Sequence, residues 1–237
     1  ETVPEYTDFQ DDGKYSWVKS PTFYGEPAQV GPLSWVLAWA AAEYEPGMRH
    51  LNRLIGIVES VAKTRIPLAA LHSTIGRHAA RSVVCATMVD NLQQQWQLLV
   101  DNIGRGDTKT FNRPDFPKGE VSGVGFHQAP RGVLSHWVVI KNGKIKNYQA
   151  VVPTTWNAAP RNANDVAGPY EASLVGTPVA DPEKPLEVLR TVHSFDPGLA
   201  RAVHVVGTTG LGERHLAALR AAARHHAGVA FLDETGR

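Results

Sequence analysis

The side chains best suited to chemistry gather near the end of the chain, in the run LRTVHSFDPGLARAVHV over 189–205. His193 and His204 offer imidazoles and Asp196 a carboxylate, and Pro197 stops any helix there because it has no backbone N–H to donate. Asp196 and His193 therefore stand at a helix end and a turn, a common place for chemistry. Their plain structural roles would be a helix-terminus cap and a satisfied interior histidine. Two earlier runs carry further candidates. APRGVLSHW, 129–137, holds Arg131, which is either a loop arginine on the surface or a guanidinium held over a site. NYQAVVPTTWN, 147–157, brings Thr154 to the end of a strand that meets Pro153.

The elements that must position these residues divide into a helical part and a β part. After a lead-in over 1–30 without helical or strand period, Pro32 suits a first helical turn, and Leu33, Val36, Leu37, Ala40 and Ala41 share a face up to about residue 44. A second helix over about 47–63 places Leu51, Leu54, Ile55 and Val58 at the same spacing. The longest periodic segment, 68 to about 103, carries Leu71, Ile75, Val83, Val84, Val89, Leu92, Trp96, Leu99 and Val100. The region 31–104 thus predicts an antiparallel helical bundle.

Beyond a Gly-, Pro-, Asp- and Lys-rich break the period becomes alternating, which predicts strands over 123–134, 136–140 and 144–152, with Asn142-Gly143 as a two-residue hairpin turn. Residues 153–169 read as loop, and 170–175 fit neither helix nor strand cleanly. A last helix carries Leu186, Leu189 and Val192 on one face. The region 105–205 thus holds the hairpins, this helix and the candidate site. The tail, 206–237, is of different character, with an alanine- and arginine-rich helix over about 213–227. The fold class is α+β.

Composition narrows the function. The 237 residues are 43% hydrophobic and 20% charged with a formal net charge of +1, which supplies a sizeable core and no general attraction to nucleic acid or an anionic membrane. One cysteine, Cys85, excludes an internal disulfide and any multi-thiolate metal site made by this chain alone, and its apolar helical setting predicts a buried, inert thiol. No apolar run reaches the ~18 residues of a membrane span, and the start without Met reads as a fragment or processed piece.

The three runs, together with GPYEASLVGTPVADPEKPLEVLRTVHSFDP over 168–197 and the opening 1–24 followed by VGPL, resemble the large subunit of nickel-iron hydrogenases of the membrane-bound uptake type, over about 6–205. The C-terminal motif of that family is Asp-Pro-Cys-x-x-Cys-x-x-His. Asp196, Pro197 and His204 keep its frame, but the two cysteine positions carry Gly198 and Arg201. Neither supplies a thiolate.

The resemblance implies specific roles. Arg131 would be a guanidinium over the metal pair, with Ala129 and Pro130 bordering the iron and its diatomic ligands. Val152, Pro153 and Thr154 would line the cluster, Asp196 would be a carboxylate beside the metals and close enough to pair with Arg131, and His193 would orient its neighbours. Ala150 would offer its carbonyl to a magnesium ion that takes His204 as a side-chain ligand.

For the whole family the resemblance implies hydrogen oxidation at a nickel-iron centre carrying cyanide and carbon monoxide. It also implies an iron-sulfur small subunit as partner, a membrane cytochrome b as acceptor, and co-export to the periplasmic side of the cytoplasmic membrane. The N-terminal Arg-x-Cys-x-x-Cys motif is missing as well, so the expectation is a C-terminal portion that is inactive as written. The residues after His204 do not look like the short tail that a maturation protease removes in this family. The rival expectation is a cofactor-free structural or interaction protein that keeps the large-subunit surface. Exposed apolar residues on the bundle would favour the portion of a larger subunit, and a closed polar surface would favour the self-sufficient module.

Overall fold

A computed structural model describes residues 18–112, 115 and 118–198. The expected tail helix, with Arg201 and His204, and the first part of the lead-in lie outside the described residues. Three helices come first: α1 (Pro32–Ala41), α2 (Glu45–Ala62) and α3 (Thr74–Gly104). Pro32 and Pro46 occupy first-turn positions of α1 and α2, where a missing N–H costs nothing. The chain leaves α2 through Lys63 in the left-handed region. Ser73 caps α3, its hydroxyl accepting the Gly76 N–H at 3.0 Å.

That cap corrects the single long helix expected over 68–103. Residues Leu68–Leu71 form a separate 3₁₀ turn, and α3 starts only after Ser73 adopts an extended backbone. The turn then folds back on α3 so closely that a Cβ at Gly76 would stand 2.4 Å from the Leu71 backbone. Glycine is required there by contact rather than by dihedral angle.

Leu33, Val36, Leu51, Leu71, Ala80, Val83 and Val84 make the first core, where α1 and α2 meet the N-terminal half of α3. Cys85 faces the other way and is exposed, so the buried thiol expected from its apolar neighbours is corrected. It belongs to the outer face because Val83 and Val84 already fill the inner one.

A three-stranded antiparallel meander follows, in the order β1 (Glu120–Ala129), β2 (Gly132–Lys141), β3 (Lys144–Val151). The Asn142-Gly143 hairpin is present, both residues at positive φ (50° and 76°) as a turn matching strand twist requires. The expected break at Ser135 is not. β2 runs through Ser135, and the chain reverses earlier, at Pro130-Arg131, where Pro130 has no N–H for the ladder and Gly132 takes φ +135°.

Three short helices close the described chain: α4 (Pro153–Asn157), α5 (Pro169–Leu174) and α6 (Leu186–His193). The expected 153–169 loop thus contains a helical turn, and 170–175 resolves as helix. In α6 the inward residues are Val188, Thr191 and Val192, while Leu186 is exposed. Tyr170, Leu174, Val188, Val192 and Phe195 form a second core. Among the described residues no helix is long and apolar enough to cross a membrane.

Candidate functional site

The site is built around the β1–β2 hairpin tip. Ala129 pairs with Gly132 across the two-residue turn, so Pro130 and Arg131 project from the end of the ladder. The tip is seated on the start of α1: a Cβ at Gly132 would lie 2.7 Å from Val30 Cγ2, and one at Gly31 would lie 3.0 Å from the Arg131 carbonyl oxygen. Two glycines therefore let two backbones touch. Asn157, at the end of α4 and 2% exposed, locks the same point. Its Oδ1 accepts the Val30 N–H and its Nδ2 donates to the Val30 carbonyl, both at 3.0 Å.

The second wall comes from the turn after α6. The Asp196 N–H donates to the His193 carbonyl at 2.9 Å, and Asp196 holds φ +56°. Its Oδ2 stands 3.2 Å from Arg131 Nε, with both side chains about two-fifths exposed. Among the described residues Arg131 Nε makes no aligned hydrogen bond, so its contact with Asp196 is one of charge. At this exposure such a pair is worth about 0–1 kcal/mol. The contact serves orientation more than stability.

The third wall is α4. Thr154 Oγ1 accepts the Gly198 N–H at 2.9 Å. A Cβ at position 198 would lie 3.1 Å from Thr154 Oγ1 and 3.7 Å from Arg131 Cδ. Position 198 is thus bordered by the threonine and the arginine, and the Thr154 hydroxyl keeps its own proton to donate.

The structure therefore brings Arg131, Thr154, Asp196 and Gly198 together, with Ala129, Pro130 and the buried Pro153 in the elements that carry them. The remaining candidates are placed differently. His193 is exposed rather than interior, Val152 is the half-exposed residue before α4, and Ala150 is exposed on β3 opposite His136. Arg201 and His204 lie outside the described residues. Among the described residues no group of three or more histidine, cysteine, aspartate or glutamate side chains is placed to hold a metal.

Sequence reasoning passed over four residues. Asn157 is one, and a polar residue two places after two threonines gave little signal. Tyr170 is another: it is buried, its ring meets Phe195 edge-on at 4.9 Å, and its hydroxyl has no hydrogen-bond partner among the described residues. Burial foremost, and then the Asp196 charge, push its phenol well above the usual tyrosine range. Arg77 and Arg81 are the others. Arg77 did carry a signal, since its spacing from Ala80 and Val84 sets a cation on the apolar face of α3.

Most of the chain is similar to known proteins. The profile of the family described as Nickel-dependent hydrogenase matches residues 1–204. The chain is 57% identical over 210 residues to the Hydrogenase-2 large chain of Escherichia coli K12, covering 88% of this chain and 37% of that one. It is 46% identical to the Quinone-reactive Ni/Fe-hydrogenase large chain of Wolinella succinogenes, covering 84% and 33% respectively. The reduced, active Ni-Fe-Se hydrogenase of Desulfomicrobium baculatum superposes with a TM-score of 0.67 at 29% identity, over 85% of this chain and 40% of that one. The chain spans about a third to two-fifths of the length of these relatives. By the profile match, the sequence identity and the shared fold, the chain belongs to the nickel-dependent hydrogenases, as part of their large subunit.

Proposed function

We propose that this chain is the C-terminal portion of an uptake-type hydrogenase large subunit and forms one protein wall of the active site. The observation that carries the reading is the convergence of Arg131, Thr154 and Asp196 on position 198, from three elements far apart in sequence. In this reading Arg131 holds a fixed positive charge at a rigid hairpin tip. Asp196 orients and partly neutralises it, and Thr154 offers its hydroxyl proton to an anionic group beside position 198.

The resident nickel-iron centre of the family is held by thiolates, and the residues here do not fit it. Position 198 is glycine, position 201 is arginine, and the one cysteine is exposed on α3. Around Gly198 the described residues present donors and a single carboxylate, which is a setting for anions rather than for a soft metal. Without those thiolates the chain is inactive on its own. Magnesium at the Ala150 carbonyl and His204, an iron-sulfur small subunit, a membrane cytochrome b and a periplasmic location all belong to this proposal.

A second feature supports membership of a larger subunit over the rival interaction module. Val89, Leu92, Trp96, Leu99 and Ile103 follow one another at spacings of three and four along α3, and all are exposed. Such a seam is suited to another helix, and a self-sufficient module would not leave it bare. The rival reading keeps one argument, the absence of thiolates beside an intact ion pair.

Elemental analysis of the purified chain for nickel and iron, with a hydrogen-dependent dye-reduction assay, tests the reading. The expected result is no nickel and no activity alone, with a stable complex once the rest of a large subunit and a small subunit are co-expressed. Stoichiometric nickel with activity overturns the inactivity, and a monomer that ignores both partners overturns the large-subunit role.

A further inference from the structure

We propose that Arg77 and Arg81 of α3 are positioning residues for the site, which through Ser194 hold the turn that presents the Asp196 carboxylate to Arg131. The inference rests on the reading of Arg131 and Asp196 given above, and concerns residues that act on the site through Ser194 and Phe195. Arg77 is 6% exposed, its Nε donates to Ser194 Oγ at 2.8 Å, and its guanidinium carbon lies 4.1 Å from the centre of the Phe195 ring. Arg81, one turn later, donates from Nη2 to the Ser194 carbonyl at 2.9 Å. Ser194 is fully buried, and its hydroxyl also donates to the Thr191 carbonyl at 2.6 Å. One turn before Arg77, Thr74 Oγ1 meets Thr191 Oγ1 at 3.0 Å.

Thr74, Arg77 and Arg81 thus form a row along one face of α3, gripping residues 191–195 from backbone and side chain together. A buried cation is costly, and among the described residues no carboxylate pairs with Arg77. Burial pulls its guanidinium down from the ordinary arginine range. An apolar side chain of similar volume would fill the space more cheaply. What it could not do is hold Ser194 by a directed N–H while stacking on Phe195.

The consequence falls two residues on. Phe195 is fixed between the Arg77 guanidinium and the Tyr170 ring, and Asp196 follows immediately in the left-handed region, which is disfavoured for a residue with a Cβ. That conformation aims the carboxylate at Arg131. Released from α3, the turn relaxes to negative φ and the carboxylate leaves the guanidinium.

Hydrogen exchange on the whole chain, read by nuclear magnetic resonance, tests the proposal with Arg77→Met, Arg81→Met and Ser194→Ala. The expected result is exchange about tenfold faster at the Phe195 and Asp196 amides and a shifted Arg131 Nε–H resonance, with the Val36 and Leu51 amides unchanged. Ser194→Ala removes one oxygen and leaves the helix charges in place, so it keeps the test valid where Arg77→Met fails to fold. Unchanged exchange at Asp196, or equal acceleration throughout α1, α2 and α3, overturns the proposal. The readout needs no metal and no activity, so it fails independently of the large-subunit reading.

Discussion

The two halves of α3 are one unbroken helix with opposite surroundings. From Gly76 to Thr87 its inner face is buried against α1, α2 and the 3₁₀ turn, and its polar residues there reach across to the Ser194 turn. From Met88 onward Val89, Leu92, Trp96, Leu98, Leu99, Val100 and Ile103 are all exposed, although this half is richer in large apolar residues than the first. Apolar periodicity says that a helix face seeks cover and says nothing about whether the cover is in the same chain. The first half is anchored and ties the bundle to the site. The second is left uncovered by the described residues.

The largest contrast comes from truncating each half's packing. Leu51→Ala, in the core under the first half, is expected to lower unfolding free energy by about 3 kcal/mol, whereas Leu92→Ala on the bare half is expected to change it by no more than about 0.5 kcal/mol. Urea denaturation of the two variants decides this, and equal losses would mean that the second half is covered in solution.

Next in size is Asn157→Ala, which orphans the partly buried Val30 N–H and carbonyl where the hairpin tip meets α1. Thermal unfolding is expected to show a loss of about 2 kcal/mol, with the Arg131 turn loosened in hydrogen exchange. A smaller effect is expected from Gly198→Cys. Its Cβ would need the Thr154 hydroxyl to give by only a few tenths of an ångström, so stability should fall by less than about 1 kcal/mol while thiol titration finds a second reactive cysteine. A collapse in stability would show that the turn tolerates no side chain there.

The smallest concerns the pair of contacts that joins α2 to α3 at the border between the halves. Asp90 Oδ2 lies 2.6 Å from His50 Nε2 and 2.7 Å from Arg49 Nη2. The hydrogen bond from His50, and then the neighbouring positive charges, hold the Asp90 carboxyl below its usual range. A depressed carboxylate stabilises the fold above its unfolded pKa, and that contribution is lost as pH falls through the folded value. Urea midpoints measured from pH 5 downward should therefore drop slightly further in the parent than in Asp90→Asn. Parallel curves would show that the exposed contacts contribute nothing.

Much of the fold was legible because local rules agreed with one another. Pro32 at a helix start, the Asn142-Gly143 turn and the switch from a period of 3.6 to one of 2 each mark an element by backbone chemistry alone. Misreadings arose where a contact overrode the pattern. The apolar run from residue 68 looked continuous, yet the Ser73 cap and the Gly76–Leu71 approach divide it. Leu186 kept helical spacing with Val192, but the second core sits on the side of Val188 and Thr191.

For the site, the family resemblance already implied Arg131, Thr154 and Asp196, and the residue types themselves showed the lack of thiolates at 198 and 201, because the available donors and acceptors are a property of the side chains. What only the tertiary structure decided is distance. It set the 3.2 Å between Arg131 and Asp196, seated position 198 between Thr154 and Arg131, and turned His193 outward. It also recruited Arg77, Arg81 and Asn157, whose partners lie more than a hundred residues away in the chain. Spacing along a chain constrains neighbours within a turn or a strand, and long-range contact is set by which surfaces bury each other.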